Sequence, residues 1–458
     1  MSPKPIRVLQ IIGIVAGGGV ESVVINYYKH INREKVQFDF IVHNNNIIDI
    51  TRIIEPLGGK VYKVPSYSKN IIGFMLGVYR VVKQQNYQIV HCHMTTLGIF
   101  SLLPAWLAGA HIRILHGHST TVRHELKRNI MKEILKPFSV FIANHYFACG
   151  RLVARWLYGT EKGVSIVNNA VDVDHFQYNE LYRQELRQEL RLENKFIIGH
   201  IGRFMYQKNH KFLIQVFYQL IKYIPSAHLV LVGDGPLRVS ILKEIESLGI
   251  GKYVTYLGIR DDVYRLYSLF DVFYLPSWYE GLAVVAVESQ AANLPLLMSN
   301  YVTDEAILDN SLVKKLAITE ESIYEWIVET QRIFNYRNKR KGFNNVLNEQ
   351  GYNINIEAKR LEKIYQQTIL EYSRRRELNR EIENPTFAER GHNPNCGDDL
   401  TLEIKTDEND IIADAAFIGS GCAISTASMA MLIDLIKGKT MKEAKEKVDL
   451  FFKMMKQE

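Results

Sequence analysis

Cysteine is scarce. Cys92, Cys149, Cys396 and Cys422 are the four in 458 residues, and their wide separation excludes a small disulfide-stapled secreted domain. Long apolar runs are also missing. The stretch Leu97 to Ala110 (LGIFSLLPAWLAGA) carries a proline and falls short of the roughly 20 residues a spanning helix needs, so membrane contact is expected to be peripheral. The opening residues MSPKPIRVLQII lack the charged-then-apolar pattern of a signal peptide, and a reducing cytoplasmic setting is expected. Neither sign of charge dominates: 56 basic against 49 acidic residues leave an excess of +7, which does not imply a nucleic-acid partner. No internal repeat or low-complexity tract is visible.

Short apolar runs bounded by turn residues alternate with longer amphipathic stretches from Ile6 onward, the signature of βα units around a parallel sheet. Strands are expected at IRVLQII, FDFIV, QIVHCH, IRILHG and VFIANHYFAC, with helices between them, for example Gly19 to His30 and Leu97 to Ala108. A polar stretch from Gln177 to Lys195 precedes a second βα series, FIIGHIGR, HLVLVGDGP, YVTYLG, DVFYLPS and PLLMSN. The expected fold class is therefore α/β, with two facing, doubly wound Rossmann-like domains over residues 1–180 and 181–364. A small α+β segment covers 365–458. In open sheets of this kind ligands bind beyond the carboxyl ends of the strands, where most of the unusual residues fall.

After the first strand, Gly17-Gly18-Gly19-Val20-Glu21 opens a helix. Glycines there let backbone amides approach a ligand, and a helix N-terminus attracts phosphate; a tight βα turn explains a lone glycine run equally well. At the start of the second domain, Arg203 and Lys208 in GRFMYQKN could converge on a diphosphate and stabilise the charge of a leaving group. Glu280 follows the strand DVFYLPS, and Glu288 lies eight residues later among Val284, Val285, Val287 and Ala291, where an unpaired carboxylate would be costly. It needs a ligand or an internal partner. His91, Cys92 and His93 invite a metal reading, but adjacent residues on a strand point to opposite faces, which favours an ordinary strand end.

GGGVE, LHGHS, NNAVD, GRFMYQKN, VGDGP, YLG and PSWYEGLAVVAVE occur in this order. The first 370 or so residues thereby resemble the retaining glycosyltransferases of family 4, which have the GT-B fold. The resemblance implies that Gly18 and Gly19 face the donor phosphate, and that Arg203 and Lys208 hold the diphosphate. Glu280 would be catalytic, on the donor sugar and phosphate side, with Glu288 at the ribose and the backbone from Gly258 to Arg260 at the base. His116 matches the family's active-site histidine, with His118 a second candidate. The surroundings of HCHMTT and LHGHST are closest to the branch that builds bacterial capsular and exported polysaccharides. That branch uses UDP-sugars and glycan or polyprenyl-linked acceptors, and its transfer needs no metal cofactor. Two departures stand out. Gly281-Leu282-Ala283 replaces a glycine-phenylalanine-glycine pattern, and Asn293 replaces a glycine at a helix end.

The stretch TVRHELKRNIMKEILK sets Arg123, Lys127, Arg128, Lys132 and Lys136 against Val122, Leu126, Ile130, Ile134 and Leu135. This basic amphipathic helix suits peripheral docking of residues 122–136 on an anionic leaflet, or equally a solvated helix packed on the sheet.

From about Tyr365, ILEYSRRRELNREIENPTFAERGHNPNCGDDLTLEIKTDENDIIADAAFIGSGCAISTASMAMLIDLIKGKT resembles the U-type iron-sulfur cluster scaffold family. Cys396, Asp398 and Cys422 would be its ligands for zinc or a nascent cluster, joined in the family by a third cysteine. None follows Cys422 up to Glu458, which implies an open, weakened site. The alternative function is thus a scaffold or sulfur acceptor acting through this segment.

Overall fold

Consecutive buried positions, not alternating ones, mark the strands: all eight residues of Val36–His43 are buried. A strand covered on both faces has no polar side, as a parallel sheet with helices on each face requires. The computed structural model describes residues 5–15, 19–46, 48–120, 126–336, 340, 346–373, 378–393, 397–421 and 423–445. Its first sheet contains β1 (Ile6–Gly13), β2 (Val36–His43), β3 (Val61–Val64), β4 (Ile89–Cys92), β5 (Ile112–Gly117), β6 (His145–Ala148) and β7 (Val164–Ile166). The order is β3-β2-β1-β4-β5-β6-β7, with every pair parallel.

A second sheet holds β8 (Phe196–Ile201), β9 (Ala227–Val232), β10 (Val254–Gly258), β11 (Val272–Leu275), β12 (Leu296–Ser299) and β13 (Val313–Leu316). Its order is β10-β9-β8-β11-β12-β13, again parallel throughout. Strand order reverses between β1 and β4 in one sheet and between β8 and β11 in the other. A crevice forms at such a switch point because the connections leave to opposite faces.

Both parallel sheets lie in one compact unit, Met1–Ala108 with Ile112–Lys359. Its two lobes share an apolar cluster in which Ala148, Val153, Val171 and Val173 meet Leu282, Ala283, Ala286 and Val287. Polar contacts also cross between the lobes. Asn169 donates through Nδ2 to the Leu282 carbonyl at 3.1 Å, and Glu305 accepts from the Leu152 amide at 2.7 Å, at the start of the helix Arg151–Tyr158.

The structure corrects one expected strand and shortens one expected helix. VFIANHYFAC is not one strand, because the helix Leu126–Ile142 runs through its first three residues and β6 begins only at His145. An apolar run continuing a helical stripe cannot be told from a buried strand by hydrophobicity alone. Leu97 to Ala108 opens instead as a 3-10 turn, Thr95–Gly98, before the helix Ile99–Leu107. The helix Gly19–His30 forms as expected.

The second unit comprises Gly109–His111 and Arg360–Glu458. It holds an antiparallel sheet of β14 (Phe387–Asn393), β15 (Asp398–Thr406) and β16 (Ile412–Ser420), followed by the helix Ala423–Ile436. Leu400, Leu402 and Ile404 alternate inward along β15 and meet Phe417, Met429 and Ile433, the period-two pattern of a sheet with one covered face. Among the described residues no helix is long and apolar enough to cross a membrane.

Candidate active site

The switch point of the second sheet carries the charged groups. β8 leads into Gly202-Arg203, and the loop after β9 packs so closely on it that Cβ atoms at Gly233 and Gly235 would lie 2.3 Å from the Gly202 carbonyl oxygen and 2.5 Å from that of Phe204. Only glycine fits there, and Gly233 also has φ +122°. This backbone clasp fixes the start of the GRFMYQKN loop. Arg203 is half-buried, and among the described residues its guanidinium has no hydrogen-bond or ion-pair partner.

Lys208 donates to Glu280 Oε1 at 2.6 Å, and Gln207 donates to Glu280 Oε2 and the Tyr279 carbonyl at 3.0 Å each. The Trp278 amide bonds the Gln207 carbonyl at 2.9 Å, and Tyr206 stacks on Trp278. The loops after β8 and β11 are therefore laced together. A carboxylate held by a cation and an amide keeps one orientation, and the pairing offsets the cost of enclosing it.

Glu288 has the internal partner that its sequence setting demands. It lies in the helix Val284–Ala291 and accepts from the Tyr267 hydroxyl at 2.6 Å. Burial raises its pKa to about 7, against the opposing pull of the Tyr267 hydrogen bond and of Lys208. Gly258 ends β10 at φ +67°, and its carbonyl accepts from the Gly233 amide at 2.7 Å. The Arg260 guanidinium is engaged by both oxygens of Asp262 at 2.7 Å.

In the first lobe Gly18 lies outside the described residues. Gly19 starts its helix facing the second lobe, where a Cβ would meet Val284 Cγ2 at 3.8 Å. The strand-end histidines revise the reading of HCH. Cys92 does point away from its neighbours, toward Ser101, but His91 and His93 are two residues apart and share a face, with ring centroids 4.2 Å apart. They join His116 and His118 from β5 and the residue after it. His91 Nε2 lies 3.1 Å from His116 Nδ1, His93 Nδ1 lies 2.9 Å from His118 Nε2, and His93 Nε2 lies 2.8 Å from Gln10 Oε1.

Burial pushes the pKa of His91, His93 and His116 well below the ordinary value, and that of His118 down to about 3. The rings are therefore neutral at physiological pH. Because the Gln10 carbonyl oxygen accepts, His93 carries its proton on Nε2 and His118 donates to His93 Nδ1. His116, 2% exposed, keeps a buried Nε2 without a partner among the described residues. Nitrogens of His91, His93 and His116 lie within 4.8 Å of one another, but the closest facing pair, His91 and His116, meets as a hydrogen bond.

A cavity of about 240 Å³ opens where the lobes meet, between Ser119, Thr120, Arg128 and Lys132 on one side and Gln207 and Glu280 on the other. Gly281 is required at its edge, since a Cβ there would stand 2.2 Å from the His118 carbonyl oxygen. Leu282 and Ala283, the departures from the family pattern, are buried in the cluster the lobes share. Asn293 adopts φ +49°, so asparagine serves where glycine is usual.

Sequence reasoning missed Gln10, Asn169, Gln207 and Tyr267. Gln207 and Asn169 stand inside GRFMYQKN and NNAVD, where a search for charged groups passes over amides. Tyr267 sits in the helix Val263–Leu269 and left no signal. In the C-terminal unit, Cys396 and Cys422 lie outside the described residues, while Asp398 is buried and accepts the Ser425 hydroxyl.

Two doubly wound lobes with cations, carboxylates and histidines gathered at their switch points define a GT-B glycosyltransferase. The chain belongs to that glycosyltransferase family. Residues 17–175 match Glycosyltransferase Family 4 and residues 182–345 match Glycosyl transferases group 1, while 364–457 match the NifU-like N terminal domain. EpsF of Bacillus subtilis, named as a glycosyltransferase, is 32% identical over 329 residues, covering 70% of this chain and 86% of that protein. The UDP-Gal:alpha-D-GlcNAc-diphosphoundecaprenol alpha-1,3-galactosyltransferase of Escherichia coli is 26% identical over 273 residues, covering 55% of this chain and 69% of that protein. Among solved structures, HepE of Anabaena in complex with UDP and glucose aligns with a TM-score of 0.64 at 16% identity, over 79% of this chain and all of that one.

Proposed function

We propose that the chain transfers a sugar from a UDP-sugar to a glycan or polyprenyl-linked acceptor in capsular or exopolysaccharide synthesis, with retention of configuration and no metal requirement. The observation that carries this reading is the Lys208–Glu280 pair at the switch point, in the same loop as Arg203, whose guanidinium has no partner among the described residues. Two cations there neutralise a diphosphate as it leaves, the task a metal performs elsewhere. In this reading Gly18 and Gly19 approach the donor phosphates, Glu288 accepts from the ribose hydroxyls, and the backbone from Gly258 to Arg260 meets the base. Glu280, fixed by Lys208 and Gln207, orients the donor sugar.

The acceptor hydroxyl attacks the anomeric carbon on the face the diphosphate leaves. The bond from that carbon to the UDP oxygen breaks, the new bond to the acceptor oxygen forms, and the acceptor proton passes to a donor phosphate oxygen. A neutral His116 adds no competing positive charge at this centre and supplies a fixed ring beside it. The names of the E. coli galactosyltransferase and of the HepE complex support a UDP donor.

The test supplies a panel of UDP-sugars in EDTA with extracted polyprenyl-linked acceptors and determines the anomer of the product. Transfer from one UDP-sugar with its α linkage retained is expected. An inverted product or an absolute need for manganese or magnesium contradicts the mechanism.

Peripheral membrane contact belongs to the same reading. On the helix Leu126–Ile142, Ile130, Met131, Ile134, Phe138 and Phe141 are exposed, Phe141 to 88%, and Lys127 is exposed beside them. Such a stripe suits the boundary of an anionic leaflet. Val122 and Arg123 fall in residues 121–125, outside the described residues. Vesicles containing anionic lipid should sediment the protein, and Ile134→Glu with Phe138→Glu should release it.

The C-terminal segment takes no part in transfer. As a metal or cluster scaffold it would rely on Cys396, Asp398 and Cys422, and Asp398 is already committed to Ser425. Near-stoichiometric zinc or iron in the purified protein would favour the scaffold reading.

A further inference from the structure

We infer that Glu305 is a positioning residue for transfer: by capping a helix of the first lobe from the second, it sets the register of the cleft in which the two substrates meet. The inference rests on the reading above, since it takes the second lobe as the home of UDP. The helix Arg151–Tyr158 begins after Gly150, an N-cap with no side chain to offer the first amides, and those amides have no partner within a helix. Glu305 fills the role from the other lobe. Its Oε1 accepts from the Leu152 amide at 2.7 Å, and a carboxylate is favoured at the positive end of a helix dipole.

The fit is steric as well as electrostatic. A Cβ at Gly150 would stand 2.0 Å from Glu305 Oε2. The backbone there is extended, with φ −175°, which any residue adopts, so glycine is required for the room it leaves to the carboxylate. Leu152 itself, and Thr303 two residues before Glu305, line the cavity between the lobes together with Glu280. The contact is therefore built into the wall of the cleft.

Glu305 projects from a braced loop. The Thr303 hydroxyl accepts from the Glu305 amide at 3.3 Å, and the Tyr352 hydroxyl donates to the Glu305 carbonyl at 3.3 Å. Lys315 donates to the Val302 carbonyl at 2.8 Å and to Asp304 at 2.6 Å. A loop held at this many points transmits position between the lobes instead of absorbing it. Position matters because a displacement of about 1 Å between reacting groups costs about a hundredfold in rate.

The test compares Glu305→Ala, Glu305→Gln and Gly150→Ala in the full chain. Hydrogen exchange at the Leu152 amide reads the contact itself and should be about tenfold faster or more in Glu305→Ala, since nothing within the helix protects that amide. With a UDP-sugar and a polyprenyl-linked acceptor, kcat/KM for the acceptor should fall about tenfold or more, while UDP affinity by calorimetry stays within about twofold. Glu305→Gln keeps an accepting oxygen and should stay within about threefold of wild type. Gly150→Ala, which displaces the carboxylate, should lose as much as Glu305→Ala, and the double variant should lose no more than either alone. A contact that served stability only would lower the melting temperature without separating acceptor turnover from UDP affinity. Unchanged transfer in Glu305→Ala, additive losses in the double variant, or UDP affinity falling in step with turnover would overturn the inference. Where Glu305→Ala fails to fold, Gly150→Ala carries the test, since it leaves the loop of Glu305 untouched. Failure of the wild type to bind UDP would instead overturn the donor reading beneath it, and hydrogen exchange would still decide whether Glu305 holds the lobes.

Discussion

The two lobes put different chemistry at equivalent strand ends. After β4 and β5 the first lobe gathers four imidazoles, all kept neutral by burial. After β8 and β11 the second gathers a guanidinium, a lysine paired with a carboxylate, and a carboxyl group close to Tyr267. Desolvation acts on both lobes, lowering the histidines and raising Glu288, and in each case it favours the uncharged form. Lys208 and Glu280, by contrast, are enclosed as a pair. The lesson is that this fold keeps fixed charge on the side proposed to meet the anionic donor and withholds it from the histidine face.

The sharpest way to break this contrast is Lys208→Ala. It removes a cation from the proposed diphosphate site and leaves the largely buried Glu280 without its counter-ion, so kcat/KM should fall by about a thousandfold, roughly 4 kcal/mol. Lys208→Arg should recover part of the loss, and steady-state kinetics reads both.

His116→Ala probes the neutral lobe. Turnover should drop about a hundredfold, within the range usual for a positioned group, while UDP affinity stays within twofold by calorimetry. Equal losses of binding in this variant and in a second-lobe variant would erase the distinction between the lobes.

Glu288→Gln should weaken UDP about tenfold, the scale of one charge-assisted hydrogen bond. A carboxylate accepts from ribose hydroxyls and a carboxylic acid does so less well, so wild-type affinity should fall as pH drops below about 7 and stay flat in the variant. The stability of the free protein carries the opposite sign. A carboxyl whose folded pKa is raised contributes fully below its ordinary value of 4.5, and that contribution is lost as pH rises toward about 7. Melting temperatures of wild type and Glu288→Gln between pH 4 and 8 would show it.

The smallest effect is expected from deleting everything after about Arg380. Every proposed donor contact precedes it, and turnover on the same substrates should change less than threefold. A loss beyond about tenfold, near 1.4 kcal/mol, in a truncated protein still folded by circular dichroism would make the segment part of the enzyme.

Much of this was legible in the sequence because strands buried on both faces announce themselves as continuous apolar runs, and because glycine clusters mark the turns after them. The motif GRFMYQKN carried Arg203 and Lys208 together, and the apolar surroundings of Glu288 demanded a partner without revealing Tyr267. What stayed hidden depends on three-dimensional register. His91 and His93 face His116 and His118 only because β4 and β5 are neighbours at the switch point. Arg128 and Lys132 turn inward only because of how the helix Leu126–Ile142 is rotated about its axis. A helical pattern fixes which residues share a face, but not which face meets a cleft.

The central claim is that the second lobe holds a nucleoside diphosphate with protein cations alone. Calorimetric titration of UDP into the full chain in excess EDTA tests it most directly, with Arg203→Ala and His116→Ala run beside the wild type. The account predicts one UDP bound without metal, at least tenfold weaker in Arg203→Ala and unchanged in His116→Ala. Binding that appears only when manganese or magnesium is restored, or that Arg203→Ala leaves intact, would contradict it.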